Sequence, residues 1–166
     1  DSREGWAEML RDVVMCLSMG GGVGINFSNI RPSGTPVKRM GGTSSGPLAL
    51  MQMVNEVARS VMSGGARRSA LWGGLHWKHP DLGKFLKIKD WDEDIRALKA
   101  RKYEYPSPLD MMNISVIIDD EYIHQLQMGD PQVGDLHAQI CGSMVLTGEP
   151  AFLNMSRIRR DDPEVV

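Results

Sequence analysis

The sequence predicts an α/β fold built on parallel strands. Stretches with apolar residues at helical spacing alternate with short contiguous apolar runs of strand type. Glycine- and proline-bearing turns separate them. The chain has 166 residues, 42% of them hydrophobic and 24% charged, which is enough apolar material for a real core. Roughly four strands can be counted, too few to close a barrel, so an open sheet edge is expected.

Residues 4 to 19 read as the first helix, with Trp6, Met9, Leu10, Val13, Val14 and Leu17 on one stripe and Asp1 or Ser2 as its cap. Cys16 lies beside that stripe and reads as a buried structural thiol. Gly20 to Gly22 stop the helix, and Val23 to Phe27 form a strand. A long polar loop, Ser28 to Gly46, precedes Pro47, which opens a helix over 47–62 with Leu48, Met51, Met53, Val54, Val57 and Val61 inward. A second glycine-basic turn, Ser63 to Ser69, leads into a strand at Ala70-Leu71-Trp72. His79-Pro80-Asp81-Leu82 starts a helix reaching about Lys89, and the charged residues 90–108 read as a surface excursion. Met111 to Ile118 is a buried strand, and Asp119, Asp120 and Glu121 cap a helix over about 120–128. Asp130-Pro131 breaks it. A further helix over about 133–147 buries Leu136, Ile140, Met144 and Val145, and a turn at Thr147 to Pro150 gives a strand at Ala151 to Leu153.

The net charge of −2 argues against a nucleic-acid partner. No apolar run reaches the roughly 18 residues that span a bilayer, and no secretory signal is visible. Two cysteines without metal spacing fit a reduced, cytoplasmic protein. The chain begins at Asp1 and ends on Asp161-Asp162-Pro163-Glu164-Val165-Val166, which reads as a piece of a longer polypeptide.

The chemistry concentrates near the front. Gly20, Gly21, Gly22 and Gly24 bring bare backbone close to a ligand, and Arg31, Lys38, Arg39, Thr43, Ser44 and Ser45 follow. Backbone amides, cations and hydroxyls together suit a nucleotide phosphate. Neither the dinucleotide nor the P-loop fingerprint is met, and a solvated surface charge is the alternative for Arg31 and Lys38. Arg67 and Arg68 could equally pair with acids at a subunit contact. His76 and His79 flank Trp77 without a third metal ligand in reach, so His79 reads as a helix-start residue. His124 and His137 read as ordinary helix residues.

GGGVGINFSNIRPSGTPV, GGTSSGPLALM, GGARRSALW with HPDLGKFLKIK, MNISVIIDDEY and LTGEPAFLNMSR occur in this order. Together they resemble the catalytic subunit of ribonucleotide reductase, most closely its adenosylcobalamin-dependent class. The resemblance implies the early part of a ten-stranded α/β barrel with helices outside, residues 1–166 being a partial barrel domain incomplete at both ends. It implies that Gly22 contacts the ribonucleotide substrate, and that Asp1, Ser2, Arg31 and Lys38, with Arg39 as a substitute, hold a deoxynucleoside triphosphate effector. Gly64, Gly65, Ala66, Arg67, Arg68, Ser69 and Ala70 correspond to the second specificity loop.

The family's radical cysteine belongs to an Asn-Pro-Cys-Gly-Glu loop that this sequence does not contain, so no catalytic or metal-binding residue is assigned. The reaction implied for the parent is thiyl-radical abstraction of the ribose 3′ hydrogen, loss of the 2′ hydroxyl as water, and reduction by a cysteine pair. Adenosylcobalamin, a thioredoxin-type reductant, the rest of the reductase chain and a homodimeric parent are the implied cofactor and partners, in DNA replication. Two alternatives are a stand-alone nucleotide-binding sensor without catalysis and a different phosphate-handling α/β enzyme. The second lacks a nucleophile–base pair.

Overall fold

The computed structural model describes residues 2–37, 41–61 and 69–161. It opens with α1 (Arg3–Ser18), which Ser2 caps by accepting the Gly5 amide on its Oγ at 3.0 Å. Val13 and Leu17 are its buried residues, Trp6, Met9 and Leu10 pack at the margin of the core, and Val14 faces outward. Then come β1 (Gly22–Asn26), α2 (Gly46–Ser60) and β2 (Ala70–His76). They are followed by α3 (Leu82–Lys87), α4 (Glu93–Arg101), β3 (Asn113–Ile118), α5 (Asp120–Gln127), α6 (Pro131–Thr147), β4 (Ala151–Asn154) and α7 (Met155–Asp161).

The four strands form one sheet in sequence order, every pair parallel, with Gly22 opposite Ala70, Gly74 opposite Ser115 and Val116 opposite Phe152. Because side chains alternate along a strand, this register sorts them onto two faces. Val23, Ile25, Leu71, Leu75, Ile114, Val116, Ile118 and Phe152 belong to the core cluster with residues of α1, α2, α3, α5 and α6. The other face carries Gly22, Gly24, Asn26, Trp72, Gly74, His76, Asn113, Ser115 and Ile117, and there the Trp72 indole N–H donates to Ser115 Oγ at 2.9 Å. The predicted parallel α/β fold with helices on the outside is what the structure shows.

Further local expectations change. Met53 is 49% exposed, because Leu50, Met51, Val54 and Ala58 make the buried stripe of α2 instead. Val145 is 90% exposed; it lies five residues past buried Ile140, too far around the helix to share its face. The charged excursion contains a helix, α4, that buries none of its residues. Asp92 caps it by accepting the Ile95 amide at 2.8 Å, and acids in its first turn and bases in its last suit the helix dipole.

A buried carboxylate fastens α4 to α2. The Asp110 side chain is 2% exposed and ion-pairs with both Arg59 and Lys99. Asn55, also buried, donates to Asp110 Oδ1 at 3.3 Å and accepts the Met111 amide at 2.9 Å. Burial opposes the charge on Asp110, but Arg59, Lys99 and Asn55 outweigh it and hold the carboxyl below its usual range. The loop between β1 and α2 folds back on itself. Gly34 N–H donates to Ser44 O and Ser44 N–H to Thr35 O, both at 2.8 Å, around an antiparallel bridge between Pro36 and Thr43. At its end Gly46 has φ 79°, and a Cβ there would lie 2.8 Å from Ser33 N and 3.0 Å from Asp81 Oδ2.

Asp110→Ala is expected to cost about 3 kcal/mol in urea unfolding, because it strands two partly buried cations. A lowered carboxylate stabilises the fold above its unfolded pKa of about 3.9 and loses that contribution as pH falls through the folded value. Stability should therefore hold from about pH 7 to 5 and fall below about pH 4, with a smaller acid loss in Asp110→Asn. Gly46→Ala should cost about 2 kcal/mol in the same measurement, from a left-handed φ and a contact with fixed backbone.

Candidate functional site

The candidate residues gather at the two ends of the sheet. At the amino ends, Gly22 of β1 is the register partner of Ala70 of β2. A Cβ on Gly22 would come no nearer than 3.5 Å to Ala70, so this strand end is slim without being crowded. Ser69 Oγ donates toward the carbonyls of Ala58 and Val61 at 3.0 and 3.1 Å, tying the start of β2 to the last turn of α2. That bond also meets carbonyls that the helix end leaves unpaired. Gly64, Gly65, Ala66, Arg67 and Arg68 lie outside the described residues, as do Asp1, Lys38 and Arg39.

At the carboxyl ends lies a cleft of about 620 Å³. Asn26 and Ser28 from the end of β1, Arg31 beyond it, His76 from β2, Asp119 beyond β3 and Arg159 of α7 line it. Ligands of open α/β sheets commonly sit outside the strand carboxyl ends. Its floor is tightly bonded. Ser28 Oγ accepts the His76 amide at 2.8 Å, and Asn26 Oδ1 accepts the Ser28 amide at 3.0 Å. His76 Nδ1 accepts the Lys78 amide at 3.3 Å, which places the proton of the neutral ring on Nε2, 3.1 Å from Asp119 Oδ2. Asp119 Oδ1 accepts from Trp77 Nε1 at 3.1 Å and from the Tyr122 amide at 2.9 Å. Burial opposes the charge on Asp119, but these donors hold its carboxyl below the usual range. Asp119 is thus the predicted cap of α5 and also a clamp between β2 and α5. With both ring nitrogens engaged, His76 is poorly placed as a general base.

The structure sets these two groups apart. Gly22 and Asn26 stand at opposite ends of β1, about 13 Å from one another at the usual rise per residue. Gly22, Ser69 and Ala70 belong to the amino end, and Arg31 to the carboxyl end. Ser2, at the amino terminus of α1, spends a hydroxyl lone pair on its own helix cap. His79 does not start a helix. It is 8% exposed and bonds through Nε2 to the Ile30 carbonyl at 2.9 Å. Asp81, missed by sequence reasoning, is 4% exposed and binds Ser33 twice. The only sequence signal was an acid two residues after a histidine at a turn, and its partner lies 48 residues away.

Cys16 Sγ lies 3.7 Å from the Gly22 carbonyl, and both it and Cys141 are free, half-buried thiols. Among the described residues no three His, Cys, Asp or Glu side chains converge as a metal site, and no helix is long and apolar enough to cross a membrane.

Comparison with known proteins gives one answer. Residues 1–158 match the family model described as ribonucleotide reductase, barrel domain. A vitamin B12-dependent ribonucleoside-diphosphate reductase of Mycobacterium tuberculosis is 30% identical over 159 residues, covering 87% of this chain and 21% of that protein. The enzyme of the same description from Thermoplasma acidophilum is 31% identical over 130 residues, covering 78% and 15%. Among solved structures, the Actinobacillus ureae class Id ribonucleotide reductase alpha subunit superposes with a TM-score of 0.76 at 21% identity, over 99% of this chain and 27% of that one. The chain therefore spans about a fifth of the length of such curated relatives. By the reach of the family match and the shared parallel sheet, the chain belongs to the ribonucleotide reductase barrel-domain family.

Proposed function

We propose that this chain is the nucleotide-contacting early part of a ribonucleotide reductase that makes deoxyribonucleotides by thiyl-radical chemistry, and that it is inactive alone. Gly22 offers its backbone to the ribonucleotide substrate. Arg31 grips effector phosphate with a planar fork, and Lys38 or Arg39 adds a point charge. Asp1 and Ser2 meet the effector's sugar, and residues 64–70 relay which effector is bound.

The observation that carries this reading is the pairing of Gly22 with Ala70. It supports the reading because Ala70 is the last residue of the segment that resembles the second specificity loop. On this reading Ala70 passes a change in the loop to the substrate end of β1. Such coupling needs the effector to bind the loop differently in two states. Gly22, whose absent Cβ would come no nearer than 3.5 Å to Ala70, also leaves room for a ligand to approach the backbone.

The relatives named vitamin B12-dependent support adenosylcobalamin as the cofactor of the parent, where it supplies the radical that begins ribose reduction. The cleft of about 620 Å³ is sized for a nucleotide-like ligand. It is small for a corrin with its nucleotide tail, so no described residue of this chain is assigned to the cofactor. A thioredoxin-type reductant and a homodimeric parent complete the reading.

The test combines this chain with the remaining reductase polypeptide and follows both deoxynucleotide formation and dGTP binding. The chain alone should make no deoxynucleotide. The completed assembly should bind dGTP, and Arg31→Ala should weaken that binding about tenfold, the loss of one charge-assisted contact. Tight dGTP binding by the isolated chain, unchanged on completion, would instead identify a stand-alone sensor.

A further inference from the structure

The backbone on both sides of Arg31 is held by one distant turn. On the near side, the Ile30 carbonyl accepts from His79 Nε2 at 2.9 Å. On the far side, Ser33 donates its amide to Asp81 Oδ2 at 2.7 Å and its hydroxyl to Asp81 Oδ1 at 2.5 Å. The two anchors are themselves joined, because His79 Nδ1 accepts the Asp81 amide at 3.1 Å, which leaves Nε2–H as the donor to Ile30. Lys84 closes the group, with Nζ 2.8 Å from Ser33 Oγ and 3.5 Å from Asp81 Oδ1. His79 and Asp81 are 8% and 4% exposed, so these bonds work where water competes little. Gly46 fits against the same spot, its missing Cβ leaving room for Ser33 N and Asp81 Oδ2.

This is an expensive arrangement for a mere loop anchor. A carboxylate buried almost completely is worth keeping only if well bonded, and here it spends both oxygens on a single serine. Burial opposes its charge, but the two Ser33 bonds and Lys84 hold its carboxyl below the usual range, so it stays an acceptor at neutral pH. The segment so fixed, residues 30–33, contains one strongly cationic side chain, Arg31, and that side chain lines the carboxyl-end cleft.

We propose that Asp81 and His79 are positioning residues for the phosphate grip of Arg31. They clamp Ile30 and Ser33, set the direction in which the guanidinium enters the cleft, and never touch the nucleotide themselves. Pre-ordering the arginine removes a conformational cost from each binding event. The proposal rests on the reading that Arg31 holds effector phosphate.

The experiment measures dGTP binding to the completed reductase assembly by equilibrium dialysis, with hydrogen exchange of the 30–34 segment in parallel. The variants are Asp81→Asn, Ser33→Ala, Ser33→Thr, Arg31→Ala and Asp81→Asn with Arg31→Ala. Asp81→Asn and Ser33→Ala should weaken binding about fivefold and speed exchange at 30–34, with the thermal midpoint of the milder Ser33→Ala close to wild type. Ser33→Thr, which keeps both donors, should bind as wild type does. In the Arg31→Ala background, Asp81→Asn should add nothing, a non-additivity that general loosening of the fold does not produce.

If Arg31→Ala weakens binding while Asp81→Asn and Ser33→Ala bind normally, or if Asp81→Asn still weakens binding without Arg31, the positioning role is wrong and the Arg31 grip stands. If the wild-type assembly takes up no dGTP, or Arg31→Ala binds as wild type does, the Arg31 grip itself is wrong and the positioning role goes with it.

Discussion

Everything in this molecule hangs on the parallel register of β2 between its two neighbours. That strand carries Gly73 and Gly74 in succession, one on each face of the sheet. A Cβ on Gly73 would sit 2.4 Å from Met112 Sδ, and one on Gly74 would sit 2.5 Å from the Trp72 ring. Large neighbours therefore close over the backbone from both sides, and the central strand is thin where the sheet is most packed. A register slip of one residue would drive Leu71 and Leu75 out of the core and carry Trp72 into it. The same register fixes which residues meet at each end of the sheet, so the chemistry inherits its geometry from the packing.

The two ends are built differently. The amino end is plain backbone, with Gly22 beside Ala70 and a serine tying the strand to the preceding helix. The carboxyl end is a bonded floor in which Asp119, His76, Ser28 and Asn26 satisfy one another. Those side chains have little capacity left for chemistry, and their work is to hold a shape. Arg31, Lys78 and Arg159 line the same cleft. Slim backbone at one end and a bonded cleft at the other are thus the two features that the parallel sheet keeps apart.

Much of this was readable from residues alone, because the cues were local. The Ser2 and Asp119 caps, Pro47 at the start of α2 and the apolar run of β3 all depend on neighbours within a few positions. The family and its parallel fold followed from five motifs in order, and the family match covers them. What escaped was long-range or balanced. Helix α4 has almost no apolar stripe, so periodicity was silent, and only capping and charge order mark it. Met53 was placed inside because its residue type outweighed its angle on the helix. Asp81 could not be read as a partner of Ser33, nor Asp110 as a partner of Arg59, because those pairs are 48 and 51 residues apart. The roles proposed for Arg31, Gly22 and Ser2 rest on resemblance, and the structure adds their neighbours.

Among the described residues, β1 and β4 are each paired along one border only. On the outer side of β1 a groove runs between the strand and α1, with Gly22 and Gly24 offering no side chains to blunt it. Unpaired peptide groups in a row are a template for another strand. Only Val23, Ile25 and Asn26 put side chains on this border strand. A strand of extended chain laid along that border would find donors and acceptors already in line.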